Sequence, residues 1–158
     1  MALELLVIGY GNKLRSDDGF GPAVAECLGQ TIQNSHCYEI VVAQQLLPEL
    51  AEVVASSNVT VLIDASARLA PGEIGIEELY PATQSEQTSG FLMAHSLTPQ
   101  SLLDLCQSLY GHAPRMTIYT CGAKTLELGE TMSQDVRDKV TLVAKVIAER
   151  HHLPYADH

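Results

Sequence analysis

Asp17, Asp18, Asp64 and His95 carry the side-chain types, at the positions, that could do chemistry together. Asp17 and Asp18 stand in a polar, glycine-bearing loop after the apolar run 3–8. Asp64 follows the apolar run 59–63, and His95 lies in Met93-Ala94-His95-Ser96. In open α/β sheets, ligands bind beyond the carboxyl ends of the strands, so acids that follow strands are site candidates. Two carboxylates and an imidazole leave coordination positions open for water or substrate, which suits a divalent metal with a functional role. Each residue also has a structural use. One of Asp17 and Asp18 is expected to cap the helix that follows, Asp64 can anchor a turn, and His95 alone is an ordinary loop histidine. Glu127 is a further acid after the last strand, while Ser66 and Ser96 lack a nearby base in sequence and are weak nucleophiles.

The elements that must position these residues follow from apolar periodicity. Residues 3–8, broken only by Glu4 and ended by Gly9, predict a strand buried on both faces. Val24, Leu28 and Ile32 recur at helical spacing over 21–32, with Pro22 in the first turn where its missing N–H is not needed. Residues 38–43 predict a second strand and 46–55 a helix. The β-branched run 59–63 predicts a central strand, and 72–79, bracketed by Pro71 and Pro81, an edge strand. Residues 82–97 predict a long polar loop. Thr98 as N-cap with Pro99 at the first helical position opens a helix to residue 110. A strand over 116–121 and a helix over 133–151 complete the pattern. Alternating strands and helices predict an α/β fold: a single-domain, three-layer sandwich over 1–150, with a twisted, mostly parallel sheet of about five strands and helices on both faces. Residues 151–158 are expected to be a frayed, solvated tail.

Composition excludes several classes. Nine basic against nineteen acidic residues give a net charge of −10, which argues against nucleic acid and against anionic membrane surfaces. A 46% hydrophobic, 18% charged composition excludes global disorder. No apolar run approaches the roughly 20 residues of a membrane span, and the first residues read as a strand, not a signal peptide. Cys27, Cys37, Cys106 and Cys121 form no C-x-x-C pair and read as reduced thiols of a cytoplasmic protein. Gly9-x-Gly11 falls short of the dinucleotide fingerprint, because Leu14 occupies the third glycine position. The acids at the helix start would also repel phosphate, so no nucleotide or flavin is expected.

The order of these motifs resembles that of the nickel–iron hydrogenase maturation endopeptidases. A strand ending in Gly9-x-Gly11-Asn12, then Asp17-Asp18-Gly19-x-Gly21 opening a helix, is similar to the family's N-terminal signature. Asp64 after a β-branched strand is similar to the second motif, His95 before a helix-opening segment to the third, and segment 122–129, with Gly122 and Glu127, to a later loop. The resemblance covers nearly the whole chain. It implies an α/β sandwich and a peptidase that removes a short C-terminal extension from the hydrogenase large-subunit precursor after nickel is installed. Nickel then comes with the substrate and serves for recognition. The resemblance implies Asp18, Asp64 and His95 as catalytic and metal-contacting residues, with Asp17 as a base or helix cap. Many members have glutamate where Asp18 stands; the shorter side chain keeps the carboxylate but reaches one methylene less. The expected partner is the nickel-loaded precursor and the expected state a cytoplasmic monomer. The alternative is a non-catalytic, metal-binding assembly chaperone of α/β fold that uses the same residues for binding alone.

Overall fold

A computed structural model describes residues 2–82 and 97–155. Five strands form one sheet in the order β2-β1-β3-β5-β4. They are β1 (Leu3–Tyr10), β2 (Tyr38–Ala43), β3 (Ser57–Ser66), β4 (Ile74–Leu79) and β5 (Arg115–Gly122). All pairings are parallel except β4 against β5. The predicted edge strand is thus the antiparallel one, which needs no crossover helix.

Helices cover both faces. On one face, α1 (Phe20–Gly29) and α4 (Gln134–Arg150) enclose Leu5, Val7, Val61, Ile63 and Tyr119. On the other, α2 (Leu50–Ala55) and α3 (Pro99–Tyr110) enclose Leu6, Ile8, Leu62 and Met116. Successive residues of β1 and β3 therefore feed opposite cores, which is why both runs are apolar without alternation. In α3 the predicted cap forms: the Thr98 hydroxyl accepts from Ser101 N at 3.1 Å, and Gly111 takes the left-handed conformation at the other end.

Several boundaries differ from the periodicity; β1, for one, runs on past residue 8 to Tyr10. The helix predicted over 46–55 begins only at Leu50. Pro48 has no N–H to continue a ladder, and the Leu46 carbonyl accepts instead from Leu97 N at 2.8 Å. The first helix is preceded by a 3₁₀ turn, Ser16–Gly19, and stops at Gly29, though Ile32 still packs in the core. β3 runs past residue 63 to Ser66, so Asp64 lies within the strand and pairs opposite Thr120. The expected frayed tail is also corrected over 151–155. Leu153 is buried, its N–H donates to Ala148 O at 2.8 Å, and Tyr155 packs on the same core. The apolar side chains at 153 and 155 gain more from that burial than from solvent. Among the described residues no helix is long and apolar enough to cross a membrane.

The order of the strands sets the site. From β1 the chain goes to one side, to β2; β3 lies on the other side and leads on toward β5. The crevice between β1 and β3 is therefore the switch point of the sheet, where ligands bind in open α/β folds. Two glycines bring α1 close against that crevice. A Cβ on Gly21 would lie 2.2 Å from the Ile63 carbonyl oxygen, and one on Gly9 would lie 2.1 Å from the Gly21 oxygen.

Candidate active site

β1 and β3 pair up to Gly9 opposite Ile63. One step further, Tyr10 and Asp64 stand side by side at the carboxyl end of the ladder. The Tyr10 hydroxyl bonds the Asp64 carboxylate, and Ala65 N donates to Asp64 Oδ1 at 2.8 Å. Asp18 enters from the loop after β1. Its Oδ2 accepts from Asn12 N at 2.7 Å. That approach requires Gly11, which has φ 149° and where a Cβ would sit 1.9 Å from the Asp18 carbonyl oxygen. The Asn12 side chain closes the same loop by accepting from Leu14 N at 2.9 Å.

Asp18 and Asp64 line one cleft of about 490 Å³ with Tyr10, Gly11, Asn12, Gln44, Gln45, Leu46 and Leu97. Both carboxylates are half-buried. Burial first, and then the negative charge of Asp18, push Asp64 up to about 7, against the opposing bonds from Ala65 N and Tyr10. Burial and the Asp64 charge also push the Tyr10 phenol well above its ordinary range, so it stays a proton donor to the carboxylate. Two carboxylates facing one cleft in a poorly solvating site repel each other, and a cation between them would relieve both costs.

His95 and Ser96 lie outside the described residues; Leu97, two positions on, lines the cleft. Among the described residues no third histidine, cysteine, aspartate or glutamate joins Asp18 and Asp64. Glu127 is exposed, and the backbone of its segment does the structural work. Gly122 closes the β4–β5 side, where a Cβ would meet Ala70 O at 1.9 Å, and Gly19 has no backbone closer than 3.5 Å to such a Cβ.

Asp17 is the clear correction. It neither caps α1 nor faces the cleft. It is fully buried, with Oδ1 accepting from Ser133 N (2.7 Å) and Oδ2 from Lys124 N (2.8 Å), Thr125 N (3.1 Å) and the Ser133 hydroxyl (2.8 Å). Burial pushes its carboxyl up, but these donors, Ser133 foremost, outweigh that and hold it below the usual carboxylate range. Such a group is a poor base. Its task is to dock segment 124–133 on the loop after β1. The same junction is sewn by Ser16, at a left-handed φ of 53°, through Ser16 N to Gly129 O (2.8 Å) and its hydroxyl to Glu127 O (2.8 Å).

Tyr10, Gln44 and Gln45 join the site without having been singled out in the sequence. The rule that selects Asp64 selects them too, since Tyr10 ends β1 and the glutamines follow β2 directly.

No protein-family model matches the chain, and no curated protein matches it. Solved structures do. A nickel–iron hydrogenase maturation protease, HycI, from Thermococcus kodakarensis superposes with a TM-score of 0.72 at 21% identity, covering 96% of this chain and 94% of its own. The hydrogenase maturating endopeptidase HybD of E. coli gives 0.70 at 20%, covering 95% and 93%. A hydrogenase 2 maturation peptidase from a thaumarchaeote gives 0.68 at 20%, covering 93% and 97%. The chain has the hydrogenase maturation protease fold. In this chain the crevice between β1 and β3 opens at the carboxyl edge of the sheet, with Asp18 and Asp64 in its lining.

Proposed function

We propose that this protein is a cytoplasmic, monomeric endopeptidase that removes the C-terminal extension of a nickel–iron hydrogenase large-subunit precursor. It acts after nickel insertion and recognises the bound nickel through Asp18, Asp64 and His95. The observation that carries this reading is the convergence of Asp18 and Asp64 on one cleft at the switch point of a maturation-protease fold. The donor set fits the metal, since nickel accepts carboxylate and imidazole ligands. The unfavourable proximity of the two carboxylates also gives the cleft a reason to take up a cation. The nickel belongs to the substrate, so the precursor's own centre completes the shell, and recognition reads metal as well as peptide.

The chain's residues have separate roles in this reading. Asp18 is aimed by Asn12 N and Gly11. Asp64 is oriented by Tyr10 and Ala65 N. Gln44 and Gln45 supply amides at the rim that can bond the peptide flanking the scissile bond. The substrate's nickel supplies Lewis acidity toward the scissile carbonyl or a water. The test is cleavage of nickel-loaded precursor, followed by mass spectrometry. Asp18→Ala, Asp64→Ala and His95→Ala should each abolish the mass loss that the wild type produces. Near-normal processing by all three refutes the site, and an unchanged precursor mass with active-looking binding by the wild type refutes the peptidase.

A further inference from the structure

We infer that the outer edge of β2, centred on Val42, is a docking strand for the extended peptide that flanks the scissile bond of the precursor. This rests on the peptidase reading above and deepens it. β2 is the last strand of the sheet on its side. Its odd-numbered residues turn their backbone toward β1: the Cys37 carbonyl accepts from Leu5 N and the Ala43 carbonyl from Gly11 N. The even-numbered residues therefore turn their N–H and C=O outward.

The two halves of that outward edge are treated differently. Near its start it is closed. Ile40 N donates to Asn34 Oδ1 at 2.8 Å, Tyr38 N donates to the Ser35 hydroxyl at 3.2 Å, and Tyr38 O accepts from Ser35 N at 2.8 Å. Such blocking is how natural proteins keep an edge from recruiting another strand. Beyond Ile40 N the blocking stops. The Ile40 carbonyl and both backbone groups of Val42 have no hydrogen-bond partner among the described residues. The Val42 side chain is 45% exposed, high for a β-branched residue in a strand.

This open half leads into the cleft. A second hollow, of about 290 Å³, is walled by Leu14, Pro22, Val42 and Ala43, and shares Gly11, Asn12 and Gln44 with the cleft that holds Asp18 and Asp64. A third, of about 320 Å³, continues from Val42 along Ile40 to Ala25, Gly29 and Ile32 of the α1 side. A strand laid on Val42 would therefore bond the free backbone groups and place alternate side chains over two mainly apolar hollows, whose rims also carry Lys13, Glu26, Gln33 and Asn34. Its end would arrive at the two carboxylates. Main-chain bonds give such docking its affinity, and the alternate pockets give it side-chain preference. An extended peptide is the one occupant that uses both the bare backbone and the hollows leading to the cleft.

Two measurements test this. In amide hydrogen exchange pulsed on the wild-type protein during turnover with excess nickel-loaded precursor, exchange at Val42 N should slow by about tenfold or more while Ile40 N is unchanged. In processing kinetics, Val42→Pro deletes only an outward N–H and leaves the β1 ladder intact. It should raise KM about five- to tenfold, the weight of one backbone hydrogen bond, with kcat within about twofold. Val42→Thr, which keeps shape and N–H, should process like the wild type. Unchanged exchange at Val42 with bound precursor overturns the inference, even if Val42→Pro fails to fold. So does a folded Val42→Pro with wild-type KM. Protection at Val42 that rises with protein concentration in the absence of precursor assigns the edge to a second copy of the chain and also overturns it. A wild type that binds but never cuts the precursor fails the peptidase reading, whatever the exchange at Val42 shows.

Discussion

Replacing Asp64 by asparagine should stabilise the folded protein at pH 8 while removing its processing activity. The side chain keeps its shape. Asparagine Oδ1 can still accept from Ala65 N, and the Tyr10 hydroxyl can turn to accept from the new amide. What disappears is a half-buried carboxylate placed beside the Asp18 charge. Asp64 titrates near 7 in the folded protein instead of near 3.8. Its folded value is raised, so between those two pH values the folded state keeps a proton that the unfolded chain has lost. Wild-type stability therefore falls as pH rises from about 4 and levels off above about 7. The full difference is about 4 kcal/mol. Water entering an open cleft reduces this, and about 2–3 kcal/mol is the expected gain for Asp64→Asn at pH 8, shrinking to near zero at pH 4. Urea unfolding of both proteins at the two pH values measures it, provided m is unchanged. Cleavage of nickel-loaded precursor by the variant should fall at least about a hundredfold. An asparagine variant that is less stable than wild type at pH 8, or a difference independent of pH, would refute the description of Asp64 as a strained carboxylate kept for function.

Asp17→Asn should do the reverse, costing about 3 kcal/mol because its amide would face the Ser133 N–H and lose charge-assisted bonds to buried donors. Exchange at the Lys124, Thr125 and Ser133 amides should accelerate. Because the Asp17 carboxyl is held below the usual range, its contribution is complete above about pH 4 and disappears as pH falls through the folded value, which acid unfolding of wild type against variant would show. Tyr10→Phe removes one donor to Asp64, so the Asp64 carboxyl, followed by NMR titration, should move up further, with kcat lowered about tenfold and stability changed little. Gly21→Ala drives a Cβ to 2.2 Å from Ile63 O, and should cost about 3 kcal/mol, a fall in Tm of roughly 6–12 °C by calorimetry.

The strands, their parallel stacking and both faces of helices were legible because each rests on a pattern of local burial. Residues 3–8 and 59–63 are apolar without alternation only if both faces are covered, and Thr98-Pro99 marks a helix start by backbone chemistry alone. Boundaries set by tertiary partners were not legible. Nothing near Leu46 announces that its carbonyl will pair with Leu97, about a third of the chain away. Asp64 was legible through its place after an apolar strand, although its neighbour Ser66 was needed to show that β3 continues. Tyr10 was hidden because the predicted strand stopped at Gly9 and left it in the polar loop, whereas β1 runs on to Tyr10. Its hydroxyl acquires meaning only once the register sets it beside Asp64.

The adjacent acids Asp17 and Asp18 show why spacing could not divide their roles. As neighbours in a sequence they are equivalent candidates for cap, base or ligand. The 3₁₀ turn separates them by roughly a third of a rotation, so one must point into the protein when the other points into the cleft. Which does which is decided from residues over a hundred positions away: Lys124, Thr125 and Ser133 present donors on one side, and among the described residues Asn12 N alone presents one on the other. The inward carboxylate is thereby saturated with donors and the outward one is left with open lone pairs. The docked loop behind Asp17 holds the turn rigid, and that rigidity is what lets a side chain as short as aspartate at position 18 stay aimed at the cleft. Exchanging the two functions would require moving the whole 124–133 segment, so a carboxylate at position 17 cannot substitute for a missing one at 18.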